Sequence, residues 1–292
     1  MNISNYAYVS IITSESYIEG LAAMWLSLKK TRTSIPLCVL VPSVLYGQKE
    51  TLLESCLFEG VLWVKYDASI EIPNVLEEKN KQAKEKRWNF TFDKLMIFDL
   101  TRFEKIVFID SDMFVLRNLD HLFKYPHMSA CCAGALFPGN EDWIDMNSGL
   151  MVIEPQKGLA EKIRGAIPNV MRKKTYFGDQ DVLQEYYYEW PGLFNRHLSE
   201  CYNLFAPYAS YYEKERGFFY SHSSESDKCI AVIHFIGESK PWFQHWSRLS
   251  IIKQELKLRY FHLVHQRNTE SIFLEYKKMI REIRKMLRRS QP

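Results

Sequence analysis

The chain has 292 residues, 47% of them hydrophobic and 25% charged, which suffices for one large or two fused domains and excludes a wholly disordered chain. Its net charge is only +3, so nucleic acid is not an expected partner. No run approaches the roughly 20 apolar residues of a membrane-spanning helix, and the opening MNISNYAYVSIITSES lacks a basic segment followed by a long apolar core, so neither an integral nor a secreted protein is expected.

In chain order, YAYVSII from Tyr6 reads as a strand, YIEGLAAMWLSLKK has helical apolar spacing, and IPLCVLVP is a second strand. A helix near QKETLLESCL, a strand at GVLWVKY, a helix over FTFDKLMIFDLTRF and the strand KIVFID continue the alternation. Elements of these lengths predict a mainly parallel α/β sheet. Beyond about residue 120 the pattern loosens. DMNSGLMVIEP is a turn entering a strand, GLAEKIRGAI and DQDVLQEYYY are helices, and CIAVIHFIG is a strand holding a histidine, followed by ESKPWF. The six cysteines form no Cys-x-x-Cys pair and sit in apolar surroundings, which predicts buried thiols in a reducing, cytoplasmic compartment.

Charge is unevenly spread. From Ile251 onward there are eleven Lys/Arg and four Asp/Glu, a local +7 that leaves −4 for the rest. Here Ile272, Tyr276, Met279, Ile283 and Met286 recur at steps of four and three, with basic residues over much of the remaining surface. Such a basic amphipathic helix can lie on anionic lipid, or it can dock on its own domain and leave the basic face in water; the second reading is preferred.

Within VFIDSDMFVL, Asp110 and Asp112 end an apolar run at the carboxyl end of a strand, where open α/β sheets bind ligands. If the strand persists through Ser111, the two carboxylates point the same way and converge on one cation. Magnesium or manganese would take such oxygens and keep positions open for phosphate. Two other readings use the same pair. One is a turn in which an aspartate caps backbone amides. The other is a phosphatase of the haloacid dehalogenase type, whose first aspartate attacks phosphate; against it, those aspartates follow the first strand and precede Thr or Val where this chain has Phe114.

Taken in order, FTFDKL, FIDSDMFVLRNLDHLF, NSGLMVIEP, FGDQD and VIHFIGESKPW resemble the glycosyltransferase family 8 pattern over roughly residues 6–246. The resemblance implies an α/β protein of GT-A fold, a single Rossmann-like mixed sheet flanked by helices. Residues 1–246 would be the glycosyltransferase domain, with 1–112 its nucleotide-binding half and 113–246 its donor-sugar and acceptor half. Residues 247–292 would be a basic amphipathic helical extension. It further implies retaining transfer from a UDP-sugar with Mn2+, Mg2+ being the alternative ion.

On that resemblance Asp110, Asp112 and His234 are the metal ligands, although a histidine inside an apolar strand would otherwise be read as a core residue. Lys240 would face the diphosphate and Gly237 would let backbone approach it. Lys94 would reach donor sugar or phosphate. ITSESY resembles a uridine loop, with Tyr17 on the uracil, Thr13 and Ser14 bonding it, and Ser111 holding the ribose. Asn147 and Ser148 would bond sugar hydroxyls. Asp179, Gln180 and Asp181 would form the donor-sugar site, with Asp179 or Asp181 the first candidates for a nucleophile. The acceptor is expected to be a saccharide, free or lipid-linked, with peripheral contact at the inner face of a membrane and a homodimer left open. A glycogenin-like chain that glycosylates its own tyrosine, at Tyr208, Tyr211 or Tyr212, is the nearest alternative. A non-catalytic nucleotide-sugar-binding protein is a more distant one.

Overall fold

The computed structural model describes residues 5–84, 86–134, 137, 139–221, 226–238, 240–260 and 268–289. The chain opens with β1 (Tyr6–Ile11), α1 (Ile18–Lys30), β2 (Leu37–Pro42), α2 (Ser43–Leu53), β3 (Val61–Tyr66) and α3 (Asn74–Gln82). A run of 3-10 turns, Lys86–Asp99, leads to β4 (Lys105–Ile109), β5 (Met113–Val115), β6 (Ser129–Cys132) and β7 (Met146–Ile153). Next come α4 (Leu159–Arg164), α5 (Ile167–Lys173), α6 (Asp179–Tyr186), β8 (Leu204–Phe205), α7 (Ala209–Glu215) and β9 (Val232–His234), and the last elements are α8 (Arg248–Tyr260) and α9 (Thr269–Arg289).

The six-stranded main sheet runs β3-β2-β1-β4-β7-β6. Its first four strands are parallel, and β7 and β6 run antiparallel to their neighbours. Continuous apolar sequences such as LCVLV suit the inner strands because both faces are covered. One face, with Tyr8, Val39 and Val107, packs on α1, the second sheet and α9. The opposite face, with Val9, Leu40 and Phe108, packs on the 3-10 run, α4 and α6. The alternating mixed α/β pattern expected from the sequence is therefore present.

Three expectations change. The sheet is not single: β5, β9 and β8 form a separate three-stranded sheet, with Met113 of β5 paired to His234 of β9. The reason lies at the aspartates themselves. The strand does not persist through Ser111; β4 ends at Ile109, a turn closes with Met113 N–H donating to Asp110 O at 3.2 Å, and the chain leaves for the second sheet. The segment FTFDKLMIFD is not an α-helix either. Its fully buried Phe92, Leu95 and Phe98 recur at steps of three, the repeat of a 3-10 helix, and place one apolar edge against the sheet. Asp93 fastens this run by accepting from Tyr66 Oη, Ser69 Oγ and the Ile70 amide at 2.9, 2.9 and 2.7 Å.

The C-terminal stripe folds as the docked alternative. Ile272, Tyr276, Ile280 and Ile283 of α9 are at most 2% exposed and share a core with Leu21, Met24 and Leu28 of α1. That apolar face is used inside the protein and cannot also enter lipid. Asn268 starts α9 by accepting from the Ser271 amide at 2.9 Å, a side-chain cap for an otherwise unpaired N–H. No helix among the described residues is long and apolar enough to cross a membrane.

Candidate active site

A cavity of about 760 Å³ opens beyond the carboxyl ends of β1 and β4. All fifteen candidate residues line it: Thr13, Ser14, Tyr17, Lys94, Asp110, Ser111, Asp112, Asn147, Ser148, Asp179, Gln180, Asp181, His234, Gly237 and Lys240. They come from six separated stretches of sequence, and the two sheets bring them together. Asp110 is tied by its amide to Gly149 O in β7, at 2.9 Å, and Asp112 O accepts from the Phe235 amide just after β9, at 2.9 Å.

The carboxylates of Asp110 and Asp112 and the His234 imidazole offer ligand atoms that all lie within 4.8 Å of one another. His234 Nε2 is 3.1 Å from Asp112 Oδ1 and 4.0 Å from Asp110 Oδ2. The short contact lacks hydrogen-bond alignment, and Asp112 Oδ1 is buried with no hydrogen-bond partner. The imidazole is oriented from behind. Gly149 N–H donates to Asn147 Oδ1 at 2.8 Å, Asn203 Nδ2 donates to the same oxygen at 2.5 Å, and Asn203 Oδ1 lies 2.8 Å from His234 Nδ1. The main-chain donor fixes both amides, so Nδ1 carries the proton and Nε2 faces the carboxylates. With Nδ1 committed, Nε2 is left facing the position beside Asp112 Oδ1. A buried unpaired carboxylate oxygen beside an imidazole and a second carboxylate fits a divalent cation, and this cluster could hold one. Gly149 is required by this packing: a Cβ there would come within 2.7 Å of His234 Cε1.

Each aspartate also has a lysine. Lys94 Nζ lies 3.0 Å from Asp110 and 3.1 Å from Asp179, and donates to Ser148 O and Oγ at 3.3 Å. Burial alone would pull the Lys94 ammonium down, but the two carboxylates outweigh it and hold its pKa above the ordinary value. Burial, only partly offset by Lys94, pushes the Asp110 carboxyl up to about 6. Lys240 Nζ lies 2.5 Å from Asp112 Oδ2 and 2.7 Å from Phe235 O. Burial would raise Asp112 too, but His234 and Lys240 reverse that and hold its carboxyl below the usual range.

Some residues are placed for duties other than those expected of them. Asn147 Oδ1 is occupied in orienting His234, and Gly149 lies within β7 rather than in a turn. Asp181 caps α6, accepting from the Gly178 amide at 3.0 Å, and pairs with Lys174. Asp179 Oδ2 accepts from Ser148 Oγ at 2.9 Å, and Gln180 Oε1 accepts from the Ser148 amide at 3.1 Å. Sequence reasoning missed Asn203, which nothing in ECYNLF marks, and the aromatic rim of Trp88, Phe90 and Trp143. Phe90 and Trp143 are 51% and 40% exposed, apolar surface beside a polar cleft.

Residues 139–245 match the family model described as Glycosyl transferase family 8. UDP-glucuronate:xylan alpha-glucuronosyltransferase 2 of Arabidopsis thaliana is 32% identical over 237 residues, which are 81% of this chain and 35% of that protein. Glycogenin-1 of Mus musculus is 29% identical over 245 residues, 82% of this chain and 66% of that one. The chain thus spans about a third of the length of the first relative and just under two thirds of the second. Among solved structures, galactosyltransferase LgtC in complex with donor and acceptor sugar analogs superposes with a TM-score of 0.55 at 15% identity, covering 84% of this chain and 91% of that one. That likeness is one of fold, of the GT-A kind. The ordered motifs converge on one cavity, and across residues 139–245 the chain is similar to glycosyl transferase family 8.

Proposed function

We propose that this chain is a retaining glycosyltransferase that moves a hexose or uronic acid from a UDP-sugar to a saccharide acceptor with manganese, magnesium being the second candidate ion. The observation that carries the reading is the Asp110, Asp112 and His234 cluster with Lys240 beside it on the floor of a cavity that the Thr13 to Tyr17 loop also lines. Asp110, Asp112 and His234 would hold the ion, which when bound supplies positive charge against the diphosphate as it departs. The rest is done by side chains. Lys240 adds a point charge on the diphosphate side, and Tyr17 offers a ring to the base. Asp179 and Gln180, held by Ser148, would orient the donor sugar at the opposite end.

Both acidic candidates for a covalent intermediate are engaged, Asp179 by Lys94 and Ser148 and Asp181 by the α6 amide and Lys174. This favours attack from the leaving-group face over double displacement. The aromatic rim of Trp88, Phe90 and Trp143 suits the apolar face of a pyranose in the acceptor. Tyr208, Tyr211 and Tyr212 are not among the cavity-lining residues, Tyr212 is fully buried, and Tyr208 is stacked on Phe137 at 3.6 Å, which supports a separate acceptor over a tyrosine of the same chain. Asp110 follows the fourth strand rather than the first, which speaks against the phosphatase alternative. All six cysteines are free thiols, in keeping with a reducing cytoplasmic setting, and any membrane contact rests on the basic face of α9 alone.

A panel of UDP-sugars with manganese or magnesium, scored for UDP release and for mass added to the protein, tests the reading. Release of UDP from one donor without gain of protein mass is expected. Mass gain by the protein would replace the saccharide acceptor with a tyrosine, and binding of donors without any turnover would leave a sugar-nucleotide-binding protein.

A further inference from the structure

The segment carrying Lys240 into the cavity continues as a single 3-10 turn, Pro241–Phe243, and passes beneath the loop that follows β1. Trp242 Nε1 donates to Ser16 O at 2.8 Å, and its ring meets Tyr17 edge-on with centroids 5.8 Å apart. The approach is close enough that a Cβ on Gly20 would lie 2.8 Å from the Trp242 ring and 2.9 Å from Ser111 O. What holds this segment down comes from the far end of the chain. Arg284 of α9 reaches Glu19 with Nε at 2.9 and 3.1 Å from its two oxygens, donates through Nη1 to Gln244 O at 2.9 Å, and donates through Nη2 to Trp242 O. Its side chain is only 15% exposed. A guanidinium that far from water is stable only with several fixed acceptors, and these belong to the donor-side loop and to α1 rather than to α9 itself. The same helix backs the neighbouring ligands. Tyr276 packs against Phe114, two residues past Asp112, at 5.2 Å, and against Phe235, next to His234, at 4.5 Å.

We propose that Arg284 is a positioning residue for donor binding: it clamps the 240–244 segment to α1 so that Trp242 stays packed against Ser16 and Tyr17 and Lys240 stays seated in the cavity. This rests on the cavity being the nucleotide-sugar site. The C-terminal helix is then a working part of the donor site, and its action runs through Lys240.

Calorimetric titration of UDP with manganese into five proteins tests it: the parent chain, Arg284→Met, Arg284→Lys, Lys240→Ala, and the Arg284→Met, Lys240→Ala double variant, each with its Tm recorded. Arg284→Met should bind UDP about tenfold more weakly, in the range seen when an outer-shell partner is lost. In the Lys240→Ala background the same change should cost less than about twofold, because the group being positioned is gone. Arg284→Lys, which keeps the charge but cannot reach all three partners, should fall between at a Tm close to that of the parent. Parent-like UDP affinity in both Arg284 variants, or a full loss repeated on top of Lys240→Ala, overturns the proposal. Should Arg284→Met fail to fold, Arg284→Lys with and without Lys240→Ala decides by the same comparison. If the parent chain itself binds neither UDP nor its manganese complex, it is the donor-site reading that has failed.

Discussion

The two walls of the cavity are built differently, although their aspartates stand two residues apart. The Asp110 wall belongs to the main sheet and is cross-linked from within: Lys94, Asp179, Ser148 and Gln180 bind one another, and every partner sits on the main sheet or the elements covering it. The Asp112 wall belongs to the small sheet, whose strands have two or three residues, and it leans on distant supports, Asn203 behind His234 and α9 behind Phe114, Phe235 and Trp242. Burial acts on both carboxyls, yet Asp110 is pushed up to about 6 while Asp112 is held below the usual range. A self-contained wall should fail by losing stability. A supported wall should fail by losing geometry.

The largest effect that would sharpen this contrast is Lys94→Met. It leaves Asp110 and Asp179 buried without their cation, a loss of about 3–5 kcal/mol that urea unfolding would measure; a variant as stable as the parent would break the idea of a self-contained wall. Next is Asp112→Asn, which should lower manganese-dependent UDP release roughly a hundredfold or more, since a neutral amide is a poor ligand for the ion. Unchanged turnover would remove Asp112 from the metal site.

A pH effect belongs to the main-sheet wall. His127 Nδ1 accepts the Glu154 amide at 3.0 Å, and Nε2 lies 3.0 Å from Tyr187 Oη, linking the end of β7 to the end of α6. Burial lowers its pKa from 6.5 to about 4. Between those values the unfolded chain binds the extra proton and the folded chain does not, so the contribution is whole above pH 6.5 and is lost as pH falls toward 4. About 2 kcal/mol should be gone by pH 5, and His127→Gln should flatten that slope in urea unfolding at pH 5 and 7. The smallest effect is on the supported wall. Asn203→Ala frees the His234 ring to turn and should weaken manganese binding about tenfold with little change in turnover at saturating metal. Equal affinity would mean that the amide chain does not orient the ligand.

Much of the first wall was legible in the sequence because its elements are long and local. Continuous apolar runs at β1, β2 and β4 announce buried parallel strands, and the motifs around Asp110, Asp179 and Lys94 each lie at the end of such an element or on one. The small sheet was not legible. Strands as short as Val232–His234 carry no periodicity, and their existence depends on a pairing of Met113 with His234 from far along the chain. The 3-10 run was hidden for another reason: Phe92, Leu95 and Phe98 satisfy a helical spacing of three, and only packing on a flat sheet face decides between the tighter and the wider helix. Asn203 had no signal, because a buried amide earns its place from partners that the sequence cannot bring beside it.

The seam between the two sheets falls at Ser111. The backbone of Asp110 is bonded to the main sheet and that of Asp112 to the small one, and the described strands on either side share no ladder. An ion held by both carboxylates would therefore act as a rivet between two plates, and the chain would gain stiffness across the seam as it gained a site for phosphate. Metal concentration would then set how closely the halves of the cavity hold together, with a stabilisation that grows, above the dissociation constant, as the logarithm of the free ion concentration.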